Sequence, residues 1–546
     1  MLREWIVTLH NREDLESFYN DMETPGGNLF IPERAVEVAN KRPISRNTHY
    51  MLTDDEVELV KADDRVWDVE LRELVENTIK PAYRITNGEF DKNWFTDASD
   101  INWGLLRHSE ELNRSNWGAD GSSLQIDSLA VTSSGKHVDV IIVDGHIDPD
   151  HPEFAVNSDG SGGSRINQIN WFSYGGSGTY TYDRSGSYTN AADESDNNHG
   201  CHCAGTVAGN TQGWARDANI YNISPYSTNP NGSIGSTMWD YMRTWHNSKP
   251  INPATGRRNP TVTNNSYGSS LPIGETGDGY NFVNRINYRG TDFNPGRDLT
   301  QSELQARGCY APNSNLKMQI PYYTTSRHAD LADAIDDGII IVCSAGNDYW
   351  KTVNSSDQDY NNTYRFNYFS SAITVWLHRG TGSGAGYDPC INVGALSNNV
   401  DEEKAPFSNV GSLIDIFAAG EAIQSSLHSG GIADPRNGSY DFGKYQGTSM
   451  AGPQVAGVAA LLVEQWPNAT NTEIKTWLQE NAITGEMDDT GADDPMDLDS
   501  LQGAANRMLR WKNQRVETGN AFPKKNFANR PADGLTYPRT RIRRRG

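Results

Sequence analysis

Cysteine is scarce, with five residues in a chain of 546. That is too few for a disulfide scaffold, and the odd count leaves at least one thiol unpaired within the chain. Cys201 and Cys203 stand too close in sequence for an easy mutual bridge, so a reducing or neutral compartment is expected. Long hydrophobic runs are also missing. Hydrophobic residues make up 36% of the chain, and mean hydropathy is −0.67. No stretch of about 18 apolar residues occurs, which excludes a spanning helix. Residues 1–10 lack an apolar core of about 7–15 residues, so no secretory leader is expected and an intracellular or virion-associated location is favoured. Positive charge is in short supply, with 47 Lys and Arg against 70 Asp and Glu, a net charge of −23. This balance argues against general binding of nucleic acid and for solubility. The chain is nevertheless no disordered polymer, because 14 Trp, 24 Tyr and 15 Phe supply large core residues. Fifty-one Gly point to many loops and tight turns.

At about 100–200 residues per domain, the length suggests three or four units. Residues 1–72 read as a small α+β unit. Trp5-Ile6-Val7-Thr8-Leu9 is β-rich, and Leu15, Phe18, Tyr19 and Met22 fall at helical spacing. Thr53-Asp54-Asp55-Glu56 forms a capping box before Val57, Leu59 and Val60. Residues 66–71 alternate as a strand, and strand–helix–strand–helix–strand on this scale matches a split βαβ unit. Residues 73–100 are polar, carry Pro81 and Asn87-Gly88, and read as a linker. Within residues 101–480, positions 138–143 and 338–343 are near-continuous apolar runs, as in parallel strands buried on both faces. Their alternation with helical patterns makes this an α/β domain. Two polar, aromatic stretches inside it, 271–321 and 349–388, read as long surface insertions rather than core. Residues 481–546 read as a polar extension. Seven acids lie between positions 486 and 499, and Arg539, Arg541, Arg543, Arg544 and Arg545 stand near its end. No internal repeat is present.

The residues that carry chemistry gather at predicted strand ends. Asp144 follows the apolar run ending at Val143, so it stands at the C-terminal edge of the sheet, where open α/β sheets place ligands. A turn Asp before Gly145 is the plainer alternative. His199 lies in Asn198-His199-Gly200-Cys201-His202-Cys203-Ala204-Gly205, whose small residues suit a helix packed tightly on a sheet. A metal site of His199, Cys201, His202 and Cys203 is a rival reading. On a helix, however, Cys201 leaves the face that His199 and His202 share, and neither CxxC nor HExxH occurs. His202 then reads as a packed, hydrogen-bonded histidine. Asn347, in Ser344-Ala345-Gly346-Asn347-Asp348, is placed to donate from its amide into a cleft. Taken alone it reads as a turn Asn beside Gly. Ser449, in Gly447-Thr448-Ser449-Met450-Ala451-Gly452-Pro453, opens an apolar helix. First-turn amides lack intrahelical partners, which makes Pro453 tolerable and the helix N-terminus a good anion site. A serine there can attack a carbonyl while its own N–H holds the oxyanion; alone it is an N-cap. Together the four residues form a set. A serine nucleophile needs a base, the base needs an orienting carboxylate, and the oxyanion needs donors.

These segments resemble the subtilisin-like serine proteases (subtilases), whose triad runs in the order Asp, His, Ser. Val143-Asp144 through His151-Pro152-Glu153-Phe154 is similar to their Asp motif, and His199-Gly200-Cys201-His202-Cys203-Ala204-Gly205 to their His motif. Ala345-Gly346-Asn347 is similar to the oxyanion-Asn segment, and residues 447–453 to the Ser motif. Weaker likenesses fall in order at Trp103-Gly104-Leu105, Asn265-Ser266-Tyr267-Gly268, Asn392-Val393-Gly394-Ala395 and Phe407-Ser408-Asn409-Val410-Gly411. The resemblance implies an α/β fold with a mostly parallel sheet flanked by helices over residues 101–480. It implies a small α+β ferredoxin-like propeptide domain over residues 1–72, acting as intramolecular chaperone and inhibitor, with self-cleavage between residues 73 and 102. It further implies a serine endopeptidase acting on polypeptides. Ser449 is the nucleophile, His199 the base, Asp144 its orienting acid and Asn347 an oxyanion donor, with substrate contacts at Ser266, Tyr267, Gly268, Ala345 and Gly346. No cofactor is required. Calcium often accompanies the family, but no ligands are assignable, and the acidic stretch lacks the EF-hand pattern.

Departures from the family pattern carry expectations of their own. Gly145-His146 replaces the usual Thr or Ser followed by Gly, which would reshape the loop after Asp144. Asp148 is a second candidate for the acid, but the strand end and the spacing to His151-Pro152 favour Asp144. Cys201 and Cys203 replace the usual Thr and Val and would make activity sensitive to thiol reagents. A rival reading is therefore a catalytically silent subtilase-like binding or structural protein, such as a virion component. The Arg-rich end reads as a solvated tail or as a contact for nucleic acid or an acidic partner. No membrane partner is expected.

Overall fold

The computed structural model describes residues 2–31, 38–40, 47–71, 102–109, 133–174, 197–225, 228–229, 232–233, 238–268, 270–273, 280–311, 318–321, 323, 325–368, 371–380, 388–398, 402–489 and 500–511. The expected linker and self-cleavage segment, most of the acidic stretch and the Arg-rich end lie outside the described residues. The chain separates into two compact units, Met1–Ala82 and Tyr83–Gly546.

In the first unit, strands Arg3–Leu9, Val38–Asn40, Asn47–Leu52 and Val66–Leu71 make an antiparallel sheet in the order second, third, first, fourth. Helices Leu15–Glu23 and Asp54–Lys61 follow the first and third strands, which is the ferredoxin-like βαββαβ arrangement. Leu15, Phe18, Tyr19 and Met22 are the buried face of the first helix, at the spacing the sequence predicts. The capping box closes, with Glu56 N donating to Thr53 Oγ1 and Thr53 N donating to the Glu56 carboxylate. The sequence shows three strands rather than four because Val38–Asn40 is only three residues long and establishes no period.

The second unit is built on an eight-stranded sheet. Its order is Ile483–Thr484, Arg507–Met508, Ile416–Ala419, Ile391–Leu396, Ile340–Ser344, Thr261–Asn265, Asp139–Val143, Asn219–Ile223. All neighbours are parallel except the first pair. The chain passes from Asp139–Val143 outward to Asn219–Ile223, then returns to the other side at Thr261–Asn265. That reversal opens a crevice at the carboxyl ends of the strands. Strand Asp139–Val143 is wholly buried, as its apolar run requires. Val140 and Ile142 join one core with the helix Thr448–Gln465, whereas Ile141 and Val143 join another with the helix Met238–Ser248. The helix Thr448–Gln465 is buried over almost its whole length, consistent with its all-round apolar sequence. Among the described residues, no helix is long and apolar enough to cross a membrane.

Two sequence-based boundaries need correction. The extension assigned to residues 481–546 begins inside the fold, because strands Ile483–Thr484 and Arg507–Met508 extend the central sheet and Leu501, Leu509 and Trp511 are buried. Two-residue strands are too short to show alternation. The stretches 271–321 and 349–388 are not merely surface loops. Strands Thr291–Phe293, Tyr280–Tyr288, Thr363–Tyr368 and Ser371–Trp376 form an antiparallel sheet, and Ser270–Ile273 pairs with Met318–Pro321. Ile286, Leu304, Trp350, Tyr364 and Phe366 belong to this module's own core.

Candidate active site

Asp144 emerges from its strand at the sheet edge, 3% exposed. Its main-chain N donates to Ile223 O at 3.1 Å. Asn222 on the adjacent strand donates to Ile142 O and Gly145 O at 3.1 and 2.9 Å, pinning the following loop. Gly145 N donates to Asp144 Oδ1 at 2.7 Å, so Gly145-His146 leaves the carboxylate in place. His199 sits in the first turn of the helix Asn197–Ala208, and its Nδ1 donates to the same Oδ1 at 2.7 Å. The helix approaches this closely because position 200 is glycine: a Cβ there would lie 2.5 Å from the Gly145 and His146 carbonyl oxygens. Asp144 holds the imidazolium strongly enough to raise the His199 pKa well above 6.5, against the opposing effect of burial. With Nδ1–H committed to Asp144, the neutral ring presents Nε2 as its basic atom. Asp148, the other candidate acid, faces His428 at 2.6 Å and His146 at 3.4 Å instead.

Ser449 is the second residue of the helix Thr448–Gln465, which Gly447 caps at φ 149°, a conformation open to glycine. Ser449 Oγ donates to Ser266 O at 3.2 Å, and Ser266 Oγ donates back to Ser449 O at 3.0 Å. Cys203 Sγ also donates to Ser449 O, at 3.4 Å, and lies 3.9 Å from His199 Nδ1. The thiol thus touches both the imidazole and the main chain of the serine. These contacts revise the reading of Pro453. It stands one turn beyond the free amides, where a helix would normally bond residue 453 N to Ser449 O. Proline has no such N–H, and Ser266 and Cys203 satisfy that carbonyl in its place.

Asn347 is exposed at the end of strand Ile340–Ser344. Its Oδ1 accepts from Thr448 N at 2.8 Å and from Thr448 Oγ1 at 2.9 Å. Two donors on one atom fix the amide orientation and leave Nδ2 directed elsewhere, about 3.4 Å from where a Cβ of Gly447 would stand. Thr448, quoted in the serine motif without a role, is thus the residue that orients Asn347.

The remaining expectations divide. Ser266 is buried and spends both its carbonyl and its hydroxyl on Ser449. Ala345 N donates to Val393 O, and Ala345 O accepts from Asn409. Gly346 N donates to Thr448 Oγ1, and Gly346 O accepts from Asn409 N. The main-chain polar groups of Ala345 and Gly346 are therefore paired within the protein and brace the site. Tyr267 and Gly268 continue the strand edge, with Gly268 exposed. The rival metal set does not converge. His202 is buried with Nε2 on Ile423 O at 2.7 Å, and Cys201 pairs with Asp148. Among the described residues, the side chains grouped closely enough to hold an ion are Asp144, His199 and Cys203. Their nitrogen and sulfur do not suit calcium, which takes oxygen ligands, and among the described residues no cluster of three acidic side chains is grouped as closely. The expected sensitivity to thiol reagents is not supported either. Cys201 and Cys203 are fully buried, and burial pushes the Cys203 thiol up to about 11, so the reactive thiolate is disfavoured. A cavity of about 610 Å³ beside Asp388, Asp415 and Lys475 lies at the opposite, N-terminal edge of the sheet.

Residues 135–511 match the sequence model described as the Subtilase family. The chain belongs to that family. Among known subtilases, Subtilisin NAT of Bacillus subtilis subsp. natto is 33% identical over 168 residues, 31% of this chain and 35% of its own. Subtilisin-like protease 3 of Arthroderma benhamiae is 26% identical over 364 residues, 66% of this chain and 59% of its own. The chain thus spans about a third of the length of the bacterial subtilisin it matches. A solved cold-adapted subtilisin-like serine proteinase aligns over 75% of this subtilase and 98% of its own chain, at 20% identity and a TM-score of 0.43.

Proposed function

We propose that this subtilase is a serine endopeptidase. The observation that carries the reading is the 2.7 Å contact of His199 Nδ1 with Asp144, beside the helix N-terminus that bears Ser449. Ser449 Oγ attacks the scissile carbonyl while His199 Nε2 takes its proton. Asp144 keeps the imidazole in the required tautomer and stabilises its charged form. The tetrahedral oxyanion accepts from Ser449 N–H and Asn347 Nδ2, and one such donor is worth about 3–4 kcal/mol. His199 then returns the proton to the leaving amine, and water hydrolyses the acyl-enzyme by the reverse roles. The polypeptide adds as an extended strand along Tyr267 and Gly268. Ser449 Oγ rests on Ser266 O and turns to His199 when substrate binds, since such contacts often tighten only in the complex.

The first unit serves as an intramolecular inhibitor released by self-cleavage between residues 73 and 102. Its ferredoxin-like fold and its place before the protease support this role. The test is hydrolysis of an unstructured polypeptide by wild type and by Ser449→Ala. Cleavage by wild type alone is expected; equal cleavage by both, or by neither, refutes the proposal.

A further inference from the structure

The module formed by the two insertions carries a surface that peptide hydrolysis does not use. Its sheet turns Ile286, Tyr364 and Phe366 inward. Strand alternation places Arg285, Arg365 and Thr374 in one cross-strand row on the opposite face, with Asn287, Thr363 and Trp376 in another. This face bounds a cavity of about 390 Å³. Arg285 and Arg365 stand directly opposite each other, and like charges so placed destabilise a sheet. Asp292 offsets Arg285 through an ion pair. Arg365 has no carboxylate partner among the described residues. Nor has Arg379, whose guanidinium stacks 3.3 Å from the Trp376 ring centroid and donates to Tyr360 O and Asn361 Oδ1. Among the described residues, the face thus collects three arginines against one aspartate, in a chain of net charge −23. The module is also rooted at the active site by both stems. Ser270 follows the Ser266-Tyr267-Gly268 segment by two residues, and Tyr349 follows Asn347 by two.

We propose that this sheet face is an exosite that holds an acidic segment of a polypeptide substrate while another part of that polypeptide occupies the cleft. A few carboxylates over Arg285, Arg365 and Arg379 would relieve the repulsion built into the sheet. The Asn287 and Thr363 side chains offer further hydrogen bonds. A nucleic acid would extend its phosphates beyond so small a patch onto an otherwise acidic protein, so a short acidic peptide fits better. The proposal rests on the endopeptidase reading, but its binding step is separable from catalysis.

The test uses the full chain with Ser449→Ala, so that no probe is cut. Anisotropy of fluorescein-labelled octaglutamate is measured at low salt, with octalysine and octathymidine as comparisons. Octaglutamate is expected to bind, to lose about fivefold in affinity with Arg365→Gln, and to weaken as salt shortens the Debye length. Arg365→Glu should abolish octaglutamate binding and favour octalysine, which separates charge from any loss of folding. In otherwise wild-type protein, Arg365→Gln should leave hydrolysis of a short neutral peptide unchanged and raise KM for a peptide with a distal glutamate tract. Octaglutamate binding indifferent to both variants overturns the exosite. Tighter Arg365-dependent binding of octathymidine overturns it in favour of a nucleic-acid surface. Arg365-dependent octaglutamate binding in a protein that hydrolyses no peptide leaves the acidic-ligand site standing and removes the endopeptidase reading.

Discussion

Thr448→Val isolates the part of the oxyanion site that orients it. The change keeps the shape of the side chain and removes one hydroxyl. That hydroxyl donates to Asn347 Oδ1 at 2.9 Å and accepts from Gly346 N at 3.1 Å. Thr448 N still donates to Asn347 Oδ1 at 2.8 Å, so the amide keeps one of its two restraints. Loss of one neutral hydrogen bond costs about 1 kcal/mol, which corresponds to a roughly fivefold fall in kcat if the loosened amide is the oxyanion donor. Asn347→Ala removes the donor itself and should cost about 3–4 kcal/mol, or 10²–10³ in kcat. The decisive comparison is the double mutant. With no amide left to orient, Thr448→Val should lower kcat no further, so the two effects are strongly non-additive. Stability behaves differently, since Gly346 N loses its acceptor in either background and unfolding should become easier by about 1–3 kcal/mol in both. The assay is steady-state hydrolysis of a chromogenic peptide anilide, paired with chemical denaturation. A full fivefold loss of kcat from Thr448→Val in the Asn347→Ala background would refute the orienting role.

Further predictions concern the other groups. The acid limb of the kcat/KM profile should have its midpoint above pH 6.5, because Asp144 raises the His199 pKa and only the neutral ring can accept a proton. Asp144→Asn removes that charge, the largest influence raising the His199 pKa, while the lowering effect of burial remains, so kcat should fall by about 10⁴ and the limb should move to lower pH; an unmoved limb contradicts the assignment. Native protein at neutral pH should resist iodoacetamide at Cys203, whose thiol is pushed up to about 11, and become alkylated on unfolding; mass spectrometry reads both states. Burial raises the Glu464 carboxyl to about 7 although Ser134 N and Gly135 N donate to it. The folded state then binds more protons than the unfolded one from about pH 4.5 to 7, so this group's contribution to stability falls as pH rises through that window. Glu464→Gln should flatten the decline in denaturation midpoint over that range, and an unchanged slope would count against it. Intact mass after incubation should show wild type split between residues 73 and 102 and Ser449→Ala whole.

Much of the site was legible because each reacting residue is announced by its immediate neighbours. Asp144 directly follows an apolar run, His199 lies in the first turn of a small-residue helix, and Ser449 stands two residues after a glycine at a helix start. The supporting contacts were not legible, because they join residues far apart in sequence. Ser266 and Ser449 are 183 positions apart, Cys203 and Ser449 are 246 apart, and no local period links them. Pro453 was misread by a single helical turn, which decides whether its missing N–H matters. The module's core escaped notice because strand Tyr280–Tyr288 shifts register twice, which breaks the alternation that would announce it. The ferredoxin-like unit was nearly complete in the sequence because its helix faces and capping box are local patterns.

The central claim is that Ser449 is a nucleophile made reactive by His199 and Asp144. Intact mass after exposure to a fluorophosphonate tests it most directly. The account predicts one adduct on wild type, mapped to Ser449, none on Ser449→Ala, and much slower labelling of His199→Ala. No adduct on wild type in which the first unit has been removed by cleavage, or equal labelling of all three proteins, would contradict it.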